Sequence, residues 1–136
     1  MSVLLGIDIG TSSVKSLLMN AEGSVLGFSQ LEYDISIPES GHAEQDPEVW
    51  WDLVCRTSAL ALKQADIEPS RIKGIGLSGQ MHGLVVLDRH HNVIRPAIIW
   101  CDQRSTEQTK EVNRWFSREE LGESAEAPKA SCGSRF

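Results

Sequence analysis

Apolar residues fall in short runs separated by turn signals over most of this chain, and their spacing predicts an α/β domain. Val3-Leu4-Leu5-Gly6-Ile7-Asp8-Ile9 is a continuous apolar run ended by Gly10 and reads as a buried strand. The turn Gly10-Thr11-Ser12-Ser13 leads into a second strand over residues 14–19. Asn20-Ala21-Glu22-Gly23 is the next turn and residues 25–33 a third strand, so the opening reads as an antiparallel meander. After a loop over 37–45, Asp46-Pro47-Glu48 starts a helix. Asp46 can cap it, Pro47 suits the first helical position, and Glu48 complements the positive end of the dipole. The helix should run to about Ala65, with Trp50, Leu53, Val54, Thr57 and Ala61 on one face. Residues 72–77 make another strand, followed by Ser78-Gly79-Gln80-Met81-His82-Gly83. Leu84 to Leu87 and Val93-Ile94 predict a hairpin around residues 88–92, and residues 97–100 a short strand. The expected order is β-β-β-α-β-β-β around a mixed sheet.

Composition changes this picture only at the end of the chain. Leu, Ile, Val and Phe supply 33 of the first 116 residues but only Leu121 and Phe136 of the last 20. Residues 1–116 are therefore expected to form the domain, and 117–136 a polar tail that is disordered or the product of a truncation or frame shift. A net charge of −6 argues against a nucleic-acid partner and against a polybasic membrane contact. Cys55, Cys101 and Cys132 are odd in number and form no Cys-x-x-Cys, which supports neither a disulfide framework nor a zinc ribbon. The first ten residues lack a basic signal-peptide region, and no apolar run approaches the ~20 residues that span a bilayer. A soluble, cytoplasmic protein with reduced thiols is the expectation.

Candidate chemistry lies where strands end. Asp8 closes a buried run, where a carboxylate is costly unless its charge is used. The glycine and hydroxyls that follow can converge on an anion, with the acid holding hydrated Mg²⁺ beside phosphates. An ordinary hairpin turn in which Asp8 caps local N–H groups explains the same residues. Gly74-Ile75-Gly76-Leu77-Ser78-Gly79 matches Gly-x-Gly-x-x-Gly in form only. It lies on a strand and opens no helix, so close packing explains it better than dinucleotide binding. Gln80 and His82 follow that strand and suit hydroxyl groups, although a solvated polar turn accounts for them too. Trp100, Asp102 and Arg104 offer a sugar a ring face and charged hydrogen-bonding partners. A core tryptophan followed by a surface ion pair is the alternative. His90-His91 reads as a solvated hairpin tip rather than a metal site.

Taken together, these segments resemble the FGGY family of carbohydrate kinases, and among them the xylulokinases. Gly6-Ile7-Asp8-Ile9-Gly10-Thr11-Ser12 is similar to the family's first phosphate motif. Glu44-Gln45-Asp46-Pro47 with Trp50-Trp51 is similar to the entry into its first helix. Ser78-Gly79-Gln80-Met81-His82-Gly83 resembles the xylulokinase sugar motif, and Pro96-Ala97-Ile98-Ile99-Trp100 follows in order. The resemblance implies part of an actin-like ATPase (ribonuclease H-like) fold, ATP with Mg²⁺, and transfer of the γ-phosphoryl group to a primary hydroxyl of a ketopentose such as D-xylulose. Ribulose, gluconate and glycerol are the other substrates within its reach, and a non-catalytic binding module is the alternative from another class. It implies that Asp8 faces metal, through water, and phosphate, and that Gly10, Thr11 and Ser12 form the phosphate turn. It implies sugar contacts from Gln80, Met81 and His82, with Trp100, Asp102 and Arg104 as neighbours. Family members are several times longer, with the base aspartate and adenosine pocket beyond the stretch matched here. The motifs lose their likeness after about Gly122, and no second Asp-x-Gly-Thr occurs. The expectation is an inactive chain that lacks a partner C-terminal domain, with a homodimer left open.

Overall fold

The structure, a computed structural model, describes residues 2–116. The polar tail expected over 117–136 lies outside the described residues. Three strands open the chain, β1 (Val3–Ile9), β2 (Ser13–Asn20) and β3 (Val25–Glu32). A two-residue strand β4 (Glu44–Gln45) precedes helix α1 (Pro47–Ala65). A 3-10 turn (Pro69–Arg71), strand β5 (Ile72–Gly79), a second short strand β6 (Ala97–Ile98) and helix α2 (Thr106–Trp115) follow among the described residues.

The meander forms as the turn chemistry predicts. β1 pairs antiparallel with β2, and β2 with β3, while β5 adds in parallel to the other side of β1. The sheet order is β3-β2-β1-β5, mixed as expected. Helix α1 begins where Asp46 accepts the Glu48 N–H at 2.9 Å and ends at Asp66 in a left-handed cap. Its Leu53, Val54 and Ala61 pack on Val3, Leu5 and Ile7 of β1 and Val14 and Leu18 of β2. A buried hydroxyl cluster completes that contact, with the Ser16 hydroxyl 2.8 Å from that of Thr57, which donates to the Leu53 carbonyl. The helix comes so close to β3 at Gly27 that a Cβ there would lie 2.6 Å from the Ala61 carbonyl oxygen.

Four features differ from the sequence reading. The hairpin over 84–94 is held by the single bridge Leu87–Val93 and its turn bonds rather than by strands, so the predicted β-β-β-α-β-β-β order is not realised there. β6 pairs with β4 as a separate ribbon instead of joining the main sheet. Both differences arise because these segments find partners distant in sequence, Leu84 with Ile98 and Glu44 with Ile98. Helix α2, whose sequence carries few apolar residues, was not predicted. Finally, the apolar run of β1 reads as a buried strand, yet one face of the sheet is open, with Leu4 on β1 and Ile75 and Leu77 on β5 exposed. No described helix is long and apolar enough to cross a membrane.

Candidate functional site

Because β1 and β5 run in parallel, their C-terminal ends lie side by side, with Asp8 opposite Ser78 and Ile9 opposite Gly79. Ligands of α/β sheets sit outside such ends. Gly79 leaves little room for a side chain, since a Cβ would stand 3.0 Å from the Ile9 carbonyl oxygen, and the Gln80 N–H donates to that same oxygen at 2.8 Å. The turn after β1 and the turn after β5 are thereby brought together.

The first turn is tightly held. The Gly10 N–H donates to the Ser13 carbonyl at 3.0 Å, and a Cβ on Gly10 would lie 3.2 Å from that oxygen. Tyr33 donates its hydroxyl to the Gly10 carbonyl, and its N–H to that of Ser12. Burial, reinforced by the Asp8 charge, pushes the Tyr33 phenol up to about 12, so it stays a donor. The Gln45 amide reaches the Thr11 carbonyl at 2.8 Å, and the Trp100 indole N–H donates to the Thr11 hydroxyl at 2.9 Å. Asp8 is partly exposed and pairs at 3.3 Å with Lys15, its neighbour across the β1–β2 ladder.

Of the residues the sequence singled out, Asp8, Gly10, Thr11, Ser12, Gln80 and Trp100 therefore gather around these two turns. Met81 and His82 follow Gln80 and are exposed. His82 sits at φ 60°, a left-handed conformation that a non-glycine residue adopts at a cost and that concentrates at functional sites.

Asp102 and Arg104 are placed otherwise. Arg104 grips Asp102 through its Nε at 2.9 Å and a terminal nitrogen at 2.8 Å, and reaches Glu44 at 2.7 Å. Arg95 binds the same Glu44 oxygen at 2.8 Å, and Asp102 also accepts the Ala43 N–H at 2.7 Å. Burial alone would raise the Asp102 pKa, but Arg104 and the Ala43 and Arg104 N–H groups outweigh it and hold the carboxyl down at about 2. Hydrogen bonding to Arg104, opposed in part by burial, also lowers that of Glu44. This clamp fastens the 36–45 loop and the β4–β6 ribbon to the segment after β6.

Sequence reasoning missed the clamp and the gripping roles of Tyr33 and Gln45. A buried amide between Glu44 and Asp46 gives no local signal. Among the described residues no group of three or more His, Cys, Asp or Glu could hold a metal by itself. Two hollows, one of about 470 Å³ along residues 91–96 and another along α2, include none of the residues at the two turns.

A parallel β1–β5 pair with both candidate turns at one end, continued by antiparallel β2 and β3, is the opening of an actin-like ATPase domain. Within that class, the N-terminal domain of the FGGY family of carbohydrate kinases matches residues 3–130, and the chain belongs to this family. The match runs past Gly122, further into the tail than the motifs alone indicated. The chain is 39% identical over 114 residues to a xylulose kinase of Staphylococcus xylosus, covering 84% of this chain and 23% of that protein. A xylulose kinase structure from Brucella ovis superposes with a TM-score of 0.78 at 40% identity, covering 82% of this chain and 24% of the other. A glycerol kinase of Thermococcus gammatolerans is 32% identical over 127 residues, 93% of this chain and 26% of that protein. The chain thus spans about a quarter of the length of these relatives.

Proposed function

We propose that this chain supplies the phosphate turn and the sugar-facing turn of an ATP-dependent kinase that phosphorylates a primary hydroxyl of D-xylulose. The observation that carries the reading is the meeting of the Thr11 turn with Gln80 and Trp100 at the ends of two parallel strands. The identity near 40% to xylulose kinases supports the choice of sugar.

Asp8 is a single carboxylate, which suits magnesium held mainly by water and phosphate oxygens rather than by a protein cage. When bound, that ion would neutralise phosphate charge during transfer. Gly10, Thr11 and Ser12 would cradle phosphate, and the bonds from Tyr33, Gln45 and Trp100 keep that turn in one shape before any ligand arrives. Gln80, Met81 and His82 would contact sugar, with the Trp100 ring beside them. Asp102 and Arg104 would act on the sugar site from behind, by fixing the loop that carries Gln45.

On the family resemblance, the aspartate that would accept the hydroxyl proton lies beyond the stretch matched here, so the chain by itself is expected to show no turnover. D-Xylulose-dependent ADP release by it near the ~1–100 s⁻¹ of kinases would overturn that expectation. The substrate is tested by a chimaera in which residues 3–116 replace the matching segment of the Staphylococcus xylosus xylulose kinase. D-Xylulose-dependent ADP formation is expected. A chimaera that phosphorylates glycerol and not D-xylulose would favour the second reading, which the glycerol kinase match over 93% of the chain supports.

A further inference from the structure

Gln45 is the most connected side chain between the two turns. It is only 3% exposed on β4, with Glu44 beside it committed to the arginine clamp. Its Nε2 donates to the carbonyl oxygens of Thr11 at 2.8 Å and Asp34 at 3.5 Å. Its Oε1 accepts from the Trp50 indole N–H at 3.3 Å and from Gln80 Nε2 at 2.8 Å. These partners dictate the orientation of both amides. An indole N–H can only donate and a backbone carbonyl can only accept. Gln45 must therefore turn its oxygen to Trp50 and its nitrogen to Thr11. Gln80 must then meet the Gln45 oxygen with its own nitrogen, and its Oε1 is the end left over. That oxygen is shielded from solvent and has no hydrogen-bond partner. An unsatisfied buried acceptor is unfavourable until a proton donor reaches it. The adjoining turn is where one can enter, since Met81 and His82 are exposed and His82 is held in the left-handed region.

We propose that Gln45 is a positioning residue that fixes the Gln80 amide with its acceptor end reserved for a ligand hydroxyl. The proposal rests on the sugar-site reading above and deepens it. An acceptor at this point welcomes the hydroxyl of a neutral polyol and disfavours the carboxylate of a sugar acid. Because Thr11 hangs on the same amide, the phosphate turn and the sugar turn form one hydrogen-bonded unit.

The test uses the full ¹⁵N-labelled chain, with D-xylulose and D-gluconate as probes. The side-chain NH₂ groups of Gln45 and Gln80 should exchange slowly, and D-xylulose should shift the Gln80 signals where D-gluconate does not. In Gln45→Met the Gln80 NH₂ should lose its protection while the backbone amides of α1 and β1 keep theirs. D-Xylulose should bind about two- to tenfold more weakly, as expected for one lost neutral hydrogen bond. Gln80→Met leaves the Gln45 bonds to Thr11 and Trp50 in place and should weaken D-xylulose equally, which keeps the test open if Gln45→Met does not fold. A freely exchanging Gln80 NH₂ in the unaltered chain would overturn the proposal. So would unchanged affinity in both variants, the result expected if water satisfies Oε1. Protected amides with no response to D-xylulose anywhere would remove the sugar-site reading and the proposal with it. Shifts at His82 with Gln80 untouched by Gln45→Met would remove the Gln45 role alone.

Discussion

Replacing Asp102 by asparagine separates a structural carboxylate from a sugar contact. The Asp102 side chain is 4% exposed and accepts from the Ala43 and Arg104 N–H groups and from the Arg104 guanidinium. The isosteric amide keeps one oxygen, turns an NH₂ toward donors and leaves Glu44 as the carboxylate that still pairs with Arg104. Hydrogen bonds to charged groups contribute roughly 1.5–3 kcal/mol each, and solvent reaching the guanidinium screens part of the ion pair. A net loss of about 2 kcal/mol follows, or a fall in Tm of roughly 5–15 °C for a domain of this size. Urea unfolding of the 136-residue chain, followed by tryptophan fluorescence, measures it as a lower midpoint at unchanged m value. The pH dependence adds a second signature. The native pKa of Asp102 is depressed to about 2. Its stabilisation is therefore present above the ordinary carboxylate pKa of about 4 and is lost as pH falls from there toward about 2. The gap between the two proteins should narrow across that window. A difference below about 0.5 kcal/mol at pH 7, with parallel acid profiles, would refute the clamp and return Asp102 to the ligand side.

Three further outcomes are expected. Gly27→Ala should destabilise the chain by about 1–3 kcal/mol, because its Cβ meets the Ala61 carbonyl oxygen at 2.6 Å and α1 must shift; unaltered urea midpoints would show that the helix gives way freely. In the chimaera, Asp8→Asn should abolish turnover while circular dichroism stays unchanged, since an amide cannot organise magnesium and phosphate charge; near-normal kcat would make Asp8 a turn residue only. His82→Ala there should raise the KM for D-xylulose by about two- to tenfold and leave that for ATP alone, as steady-state kinetics varying each substrate would show.

The elements that a local pattern can specify were legible. Asp46-Pro47-Glu48 marks the start of α1, and Gly10 and Gly23 mark turns whose strands pair as a meander. Residues 74–79, read as strand despite their Gly-x-Gly-x-x-Gly form, lie on β5, and the next described element is the short strand β6. What escaped depends on partners far away in the chain. The β4–β6 ribbon pairs Glu44 with Ile98, and the clamp joins Glu44 to Arg95 and Arg104. Asp102 and Arg104 read from sequence either as neighbours of a sugar or as an ion pair, because Glu44, 60 residues from Arg104, comes beside them only in the fold.

The two turns are built to different stiffness, and this bears on how one fold serves several sugars. Side chains from three separate segments, Tyr33, Gln45 and Trp100, close on residues 10–12. On the proposed reading residues 10–12 hold phosphate, which every kinase transfers, and a turn fixed before ligand arrives suits that role, because rigid donors need no ordering on binding. Beyond Gln80 the second turn lacks comparable cover, with Met81 exposed and His82 bent into the left-handed region. Such a segment rearranges at little expense to the core, since none of its side chains is packed there. Relatives named for xylulose and for glycerol match this same chain. On the proposed reading, choice among their substrates resides in residues 80–83, on a frame whose phosphate side stays constant.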